Sequence, residues 1–247
     1  MHRYFIKLAY NGTNYHGWQI QDNAHSVQAE ITEKISIMLN EEISIVGCGR
    51  TDTGVHAREF FAHFEVSELK FELKDFVFKL NSFLSSDIVI YDIYKVQSDL
   101  HSRFSAESRT YSYYISLVKN PFSEEISYYY NGELDVEAMN KACSFLLVHT
   151  DFTSFSKLHT QTATNNCVIQ SARIERIGSD LVFTITADRF LRNMVRAIVG
   201  TLMEIGKGKM NANYINEVIE AKDRSKAGFS VPAHGLFLEK VVYPNQC

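Results

Sequence analysis

The sequence lacks the cysteine pattern of a zinc site or a disulfide framework. Its four cysteines, at positions 48, 143, 167 and 247, lie far apart and form no C-x-x-C pair. Scattered cysteines of this kind are typical of proteins in a reducing compartment. We therefore expect a cytoplasmic protein without structural zinc.

Long apolar runs are missing as well. No stretch approaches the roughly 18 apolar residues that a membrane-spanning helix requires. The N-terminal residues follow the alternating pattern of a strand and show no apolar core of a signal peptide. With 45% hydrophobic and 22% charged residues, the composition predicts a soluble globular protein with a sizeable core and no membrane partner.

Common cofactor and nucleophile motifs are also absent. The chain has no Gly-rich P-loop, no G-x-G-x-x-G after a strand, no H-E-x-x-H and no G-x-S-x-G. Its nine histidines show no spacing typical of metal ligands. The sequence therefore predicts neither a cofactor nor a metal site.

Acidic residues outnumber basic ones, which gives a formal net charge of −4 and argues against a general nucleic-acid binder. The distribution is uneven, however. Residues 189–226 contain eight lysines and arginines against four acidic residues. A local basic face is therefore still compatible with an acidic protein.

Hydrophobic periodicity predicts an α+β fold in two similar halves, 1–106 and 107–247. In the first half, strands are expected at 3–10, 43–46, 60–66 and 88–96, with helices at 27–39 and 73–80. This β-α-β-β-α-β order is typical of a ferredoxin-like or RRM-like module. The second half repeats the theme with strands at 111–118, 168–177, 181–187 and 236–242, and helices at 134–147, 191–205 and 213–221. We expect a pseudo-symmetric mixed, mainly antiparallel sheet with helices on one side and a central cleft.

A glycine-rich stretch at residues 47–57 contains the first candidate for chemistry, Asp52. Glycine permits backbone conformations that other residues avoid, so the stretch predicts a shaped loop after a strand. Loops held by a rigid scaffold often carry catalytic side chains. The alternative is that Asp52 only stabilises a turn, and the loop taken alone favours that simpler interpretation.

Two further elements are candidates for substrate binding. Arg189, Arg192 and Arg196, at spacings of three and four, are predicted to lie together on one face of the helix that follows Ala187, so they could bind phosphates or a carboxylate. The alternative is a solvated helix face. Tyr111 lies in a tyrosine-rich strand and could stack on a nucleobase. The alternative, which is favoured for any single tyrosine, is that Tyr111, Tyr113 and Tyr114 are ordinary strand residues, and we expect Tyr113 or Tyr114 in the core.

Residues 49–57, Gly-Arg-Thr-Asp-Thr-Gly-Val-His-Ala, closely resemble the G-R-T-D-x-G-V-H-A signature of the tRNA pseudouridine synthase A family. The resemblance covers nearly the whole chain. Further motifs match in the family's order, at residues 10–19, 27–28, 103–111, 151–155, 190–196 and 235–238.

This resemblance implies a homodimeric enzyme, without metal or cofactor, that isomerises uridine to pseudouridine at positions 38, 39 and 40 of the tRNA anticodon stem-loop. It implies that Asp52 is the nucleophile, that Tyr111 stacks on the target base and that Arg196 is the basic partner of Asp52. It further implies that Arg50 helps to extrude the base and that Leu236 packs near the uracil. RNA contacts are expected from Arg189, Arg192, Lys207 and Lys209.

Two other functions remain open at this stage. A non-catalytic RNA-binding protein made of two RRM-like halves would fit the strand order, but it would leave Asp52 without a task. An aspartate-dependent hydrolase of glycosides or phosphates would fit a catalytic carboxylate. A glycosidase, however, requires two cooperating carboxyl groups, and the loop supplies one.

Overall fold

A computed structural model of the protein describes residues 1–157 and 164–244. The chain divides into two compact units, one formed by residues 1–107 and 238–244 and the other by Ser108–Phe237. The sequence pattern had assigned the final strand to the second half. Its last residues group with the first unit because Val241 N donates to Glu59 Oε1 (3.2 Å) and the Tyr243 hydroxyl donates to Ser102 O (2.5 Å).

The first unit contains the predicted β-α-β-β-α-β order. Its elements are β1 (His2–Tyr10), α1 (Val27–Leu39), β2 (Val46–Gly47), β3 (His56–Val66), α2 (Leu73–Phe83) and β4 (Ile88–Val96). Strand β1 is central and pairs antiparallel with β3 on one side and β4 on the other. Helix α1 begins where expected, because the Ser26 hydroxyl accepts a hydrogen bond from Ala29 N (3.3 Å) and caps the helix.

The expected strand at 43–46 is wrong in its extent, since only Val46 and Gly47 pair with β3. The side chains of Ile43 and Ile45 are buried as the pattern predicted. Their backbone groups, however, bond to side chains of α1. Ile43 N donates to Ser36 Oγ (3.1 Å), and Gln28 Nε2 donates to Ile45 O (2.6 Å). These bonds satisfy the backbone without a strand partner.

The second unit also combines an antiparallel sheet with helices. Its elements are β5 (Ser108–Ser116), β6 (Tyr128–Tyr129), α3 (Val136–Leu146), β7 (Ile169–Ile177), β8 (Asp180–Ala187), α4 (Met194–Gly206) and α5 (Tyr214–Ala221), and β9 (Leu236–Val242) follows. Strand β8 pairs antiparallel with both β5 and β7. The short β6 was not predicted and pairs parallel with β5 through Ile115 and Tyr128.

These units confirm the predicted α+β class with mainly antiparallel pairing. Across the described residues, the helices are too short or too polar to span a lipid bilayer. The three cysteines within those residues, Cys48, Cys143 and Cys167, are buried free thiols.

Candidate active site

Asp52 lies in a tight loop that joins β2 to β3. We call residues 48–55 the aspartate loop. At its base, Cys48 N donates to Phe61 O (2.7 Å), and at its tip Val55 N donates to Asp52 O (3.1 Å). Gly54 has φ +77°, a conformation that favours glycine. The loop leaves Asp52 half-buried and the predicted base-extruding Arg50 exposed.

Side chains of the first unit fix both ends of the aspartate loop. The hydroxyl groups of Tyr10 and Thr51 form a buried hydrogen bond of 2.9 Å directly before Asp52. On the other side, His56 Nδ1 accepts a hydrogen bond from Gly12 N (3.0 Å), and His56 is almost completely buried. A loop tied at both ends presents its central carboxylate in a restricted range of positions.

Tyr111, the predicted base-stacking residue, lies in β5 and is half-buried. Its ring contacts the ring of Phe190 edge to face, with centroids 5.1 Å apart. Tyr113 is fully buried, and its hydroxyl donates to Pro232 O (2.8 Å), which confirms that it is a core residue. The two tyrosines therefore differ in accessibility although they occupy the same strand.

Arg196 lies in the first turn of α4. Its Nε donates to Val231 O (2.7 Å), and Val231 N donates back to Arg196 O (3.3 Å). The first bond fixes one edge of the guanidinium group against Val231, and the second joins the backbone of α4 to the same residue. The close approach depends on Gly200, because a Cβ there would overlap the carbonyl oxygen of Phe229.

The predicted helix 191–205 begins late, so the prediction that three arginines lie together on one helix is wrong. Asn193 adopts φ +67° and separates α4 from the preceding turn. Arg189 and Arg192 therefore precede the helix. Arg189 N donates to Asp188 Oδ1 (2.7 Å), while the side chain of Arg192 is exposed. The spacing of the arginines does not reflect a common helical face.

Lys207 and Lys209, predicted RNA contacts, share one carboxylate. Their ammonium groups lie 2.8 and 2.9 Å from the two oxygens of Glu204. The hydrogen bonds from both lysines lower the pKa of Glu204, against the opposing effect of burial. Lys207 also lies over the rings of Tyr130 and Phe229. The basic face of residues 189–226 is therefore partly neutralised within its own unit.

Leu236, predicted to pack near the uracil, is 6% exposed and is the first residue of β9. The preceding Gly235 lies against the ring of Tyr113, so that a Cβ at this position would be 2.8 Å from the ring. The predicted site residues thus divide between the units. Arg50 and Asp52 lie in the first unit, and the others lie in the second.

Sequence reasoning gave no role to two groups that the structure places beside candidate residues. Phe190 contacts Tyr111, and the carbonyl of Val231 holds Arg196. The position of Phe190 within the motif at 190–196 could have indicated that it has a role. The position of a backbone carbonyl cannot be predicted from the residue type. Within the described part of the chain, no group of three or more His, Cys, Asp or Glu side chains is arranged to hold a metal ion.

Comparison with known proteins extends over the whole chain. A sequence profile described as tRNA pseudouridine synthase matches residues 142–244. The chain is 54% identical to tRNA pseudouridine synthase A of Parabacteroides distasonis over 246 residues, which cover 100% of this chain and 98% of the relative. The protein of that name from Clostridium acetobutylicum is 40% identical over 240 residues, 96% of this chain and 98% of the relative. The one from Francisella philomiragia is 38% identical over 246 residues, with 99% and 95% covered. The chain belongs to the tRNA pseudouridine synthase A family.

Proposed function

We propose that this protein is a tRNA pseudouridine synthase that isomerises uridine at positions 38, 39 and 40 of the anticodon stem-loop. Family membership supports the reaction type. The observation that carries the assignment is the aspartate loop, in which a buried Tyr10–Thr51 hydrogen bond and a His56–Gly12 bond flank Asp52. A loop held in this way can position a carboxylate accurately for attack on one carbon atom of a bound nucleotide.

The proposed reaction rearranges the nucleotide without adding or removing atoms overall. The bond between C1′ and N1 breaks, the detached uracil rotates, and a bond forms between C1′ and C5. The C5 proton is lost and N1 gains a proton. The ionised carboxylate of Asp52 attacks C6 of the base or C1′ of the ribose, or assists the loss of the C2′ proton.

The remaining candidate residues have roles in holding the extruded base. A uridine within a stem must be flipped out, at a cost of a few kcal/mol for unstacking. Arg50, which is exposed, assists this extrusion. Tyr111 stacks on the base, supported by Phe190, and Leu236 packs near the uracil. Arg196 is the cationic partner that orients the carboxylate of Asp52.

The RNA backbone is bound by the basic residues of the second unit, in a protein that acts as a homodimer. The proposed phosphate contacts come from Arg189, Arg192, Lys207 and Lys209. Surface ion pairs are weak because water and salt screen them, so phosphates can replace Glu204 as the partner of both lysines. Binding should therefore weaken as salt rises. An affinity that is unchanged between low and physiological ionic strength would contradict this part of the proposal.

The test is tritium release from tRNA that contains C5-labelled uridine, with nucleoside analysis of the product. The wild type should release tritium from the labelled tRNA, and from unlabelled tRNA it should form an isomer of unchanged mass. Asp52→Asn should abolish release while tRNA binding survives. Asp99→Asn, at an exposed aspartate of the same unit, is the matched control and should behave as the wild type.

Each alternative function has its own signature in this assay. Binding without tritium release by the wild type would indicate a non-catalytic RNA-binding protein. Release of free uracil would indicate a hydrolase.

A further inference from the structure

A second loop supports the aspartate loop on both sides of Asp52. We call residues 12–18 the supporting loop. Trp18 N donates to Thr51 O (3.3 Å), directly before Asp52. Gly54 N donates to Tyr15 O (3.3 Å), two residues after it. The backbone that carries Asp52 is therefore bonded to the supporting loop before and after the carboxylate.

Two glycines allow this contact between the loops. A Cβ at Gly12 would overlap the carbonyl oxygen of Val55, and a Cβ at Gly17 would overlap that of Thr51. Gly17 also has φ +85°, which a residue with a side chain adopts only at a cost. Since the two backbones lie in direct contact, a displacement of the supporting loop displaces Asp52.

The supporting loop is itself tied to a buried carboxylate. The Tyr15 hydroxyl donates to Glu30 Oε2 (2.8 Å) on α1, and Tyr15 is 2% exposed. The Ser85 hydroxyl lies 2.7 Å from the same Tyr15 oxygen, and Ser85 N donates to Glu30 Oε1 (2.8 Å). On the solvent side, the exposed His25 has its Nε2 atom 3.2 Å from Glu30 Oε2, and its ring stacks on the ring of Tyr15.

The electrostatics are consistent with an ionised Glu30. Burial by itself raises the pKa of Glu30, but the hydrogen bonds from Ser85 and Tyr15 and the adjacent His25 outweigh it and lower the pKa. Burial raises the pKa of Tyr15 to about 12, so its hydroxyl remains a donor at neutral pH. A charge-assisted hydrogen bond is about twice as strong as a neutral one. The bond from Tyr15 to Glu30 therefore holds the supporting loop strongly to α1.

We infer that Tyr15 and Glu30 are positioning residues for the proposed reaction: they hold the supporting loop, and through it they set the position of Asp52. This inference rests on the proposed role of Asp52 as the catalytic carboxylate. Neither residue touches the reacting atoms. Their effect is therefore expected on the rate of the chemical step and not on the affinity for tRNA.

Tyr15→Phe tests this directly, because it removes one hydroxyl and keeps the ring. We expect a roughly ten- to hundredfold lower single-turnover rate of tritium release at saturating tRNA, the range expected for a small misplacement of a catalytic group. The dissociation constant for tRNA should stay within about twofold of the wild type, since phosphate contacts dominate affinity. Glu30→Gln keeps an acceptor for the Tyr15 hydroxyl but removes the negative charge. It should also lower the single-turnover rate, by a smaller factor than Tyr15→Phe.

Tyr243→Phe is the matched control. It also removes a buried tyrosine hydroxyl in the first unit, but that hydroxyl donates to Ser102 O. It should lower the melting temperature, though less than Tyr15→Phe because its hydroxyl bonds a neutral carbonyl, while leaving the single-turnover rate unchanged. Equal rates for Tyr15→Phe and the wild type, or equal rate losses in both Phe variants, would overturn the inference.

Asp52→Asn, measured in parallel, distinguishes a failure of the proposed function from a failure of the positioning role. An active Asp52→Asn variant would refute the proposed function. An inactive Asp52→Asn variant together with a fully active Tyr15→Phe variant would refute only the positioning role.

Discussion

Acidification is predicted to weaken the first unit through one buried histidine, His63, which pairs with Val46 at the stem of the aspartate loop. His63 is 5% exposed, its ring stacks on Phe5, and its Nδ1 accepts from Ser102 N (3.2 Å). Burial lowers the pKa of His63 to about 4. The positive charges of Arg3 and His101 act in the same direction, and the carboxylate of Glu65 opposes them.

The sign and size of the effect follow from linkage. Because the folded pKa is lower than the unfolded value of 6.5, the unfolded chain takes up the proton first as the pH falls. The stabilisation is complete above about pH 6.5 and is lost progressively towards pH 4. The full pKa shift of His63 contributes about 3 kcal/mol to the free energy of unfolding. About 2 kcal/mol of this contribution is lost between pH 7.5 and pH 5.

The assay is urea unfolding of the full-length protein at pH 7.5 and at pH 5. With a urea slope of about 2 kcal/mol per M, His63 should account for a midpoint decrease of about 1 M. His63→Asn is the comparison, since its side-chain oxygen can still accept from Ser102 N but does not titrate. Its midpoint should depend less on pH by that amount. If the urea midpoints of the wild type and of His63→Asn fall by the same amount between pH 7.5 and pH 5, the proposed role of His63 is refuted.

Three further predictions concern the proposed site. Gly17→Ala should cost more stability than Gly178→Ala, and it alone should slow tritium release. Both glycines have positive φ, but a Cβ at Gly178 meets nothing within 4 Å; equal costs in denaturant unfolding would contradict this. Glu204→Gln should tighten tRNA binding a few-fold at low salt by releasing Lys207 and Lys209, and a filter-binding titration showing weaker binding would contradict it. Arg196→Lys keeps the charge but loses the Nε–H bond to Val231 O, so single-turnover release should fall at least about tenfold; a wild-type rate would show that charge alone suffices.

Local sequence patterns predicted most of the elements in this protein. The expected strands β4 and β9 have the observed bounds, and α1 follows the N-cap that Ser26 provides. These elements depend on hydrophobic period and on a neighbouring cap, and both can be read within a short window of sequence.

The misplaced boundaries depend on contacts that lie beyond such a window. The backbone of 43–45 bonds to side chains of α1, so an apolar β-branched run did not become a strand. Helix α4 starts late because Asn193 adopts a left-handed conformation, which its residue type permits but does not require.

The candidate residues could be predicted from the sequence, but the contacts that position them could not. Motif resemblance named Asp52, Tyr111 and Arg196 as candidates, and their roles stay predictions. It did not describe the groups that hold these three side chains in place. Backbone carbonyl groups are among them: Val231 O accepts from Arg196, and Tyr15 O accepts from Gly54 of the aspartate loop. The sequence does not encode the positions of such groups locally. Glu30 is a polar residue next to the apolar face of α1, and its use becomes visible only when Tyr15 and Ser85 are found beside it.

The central claim is that Asp52 of this chain makes pseudouridine in the tRNA anticodon stem-loop. Its most direct test is site-specific mapping of pseudouridine in tRNA from cells that lack this protein and carry either the wild-type gene, Asp52→Asn or Asp99→Asn. Pseudouridine at positions 38, 39 and 40 should disappear without the protein, return with the wild type and with Asp99→Asn, and stay absent with Asp52→Asn. Unchanged modification in cells without the protein, or full restoration by Asp52→Asn, would contradict the claim.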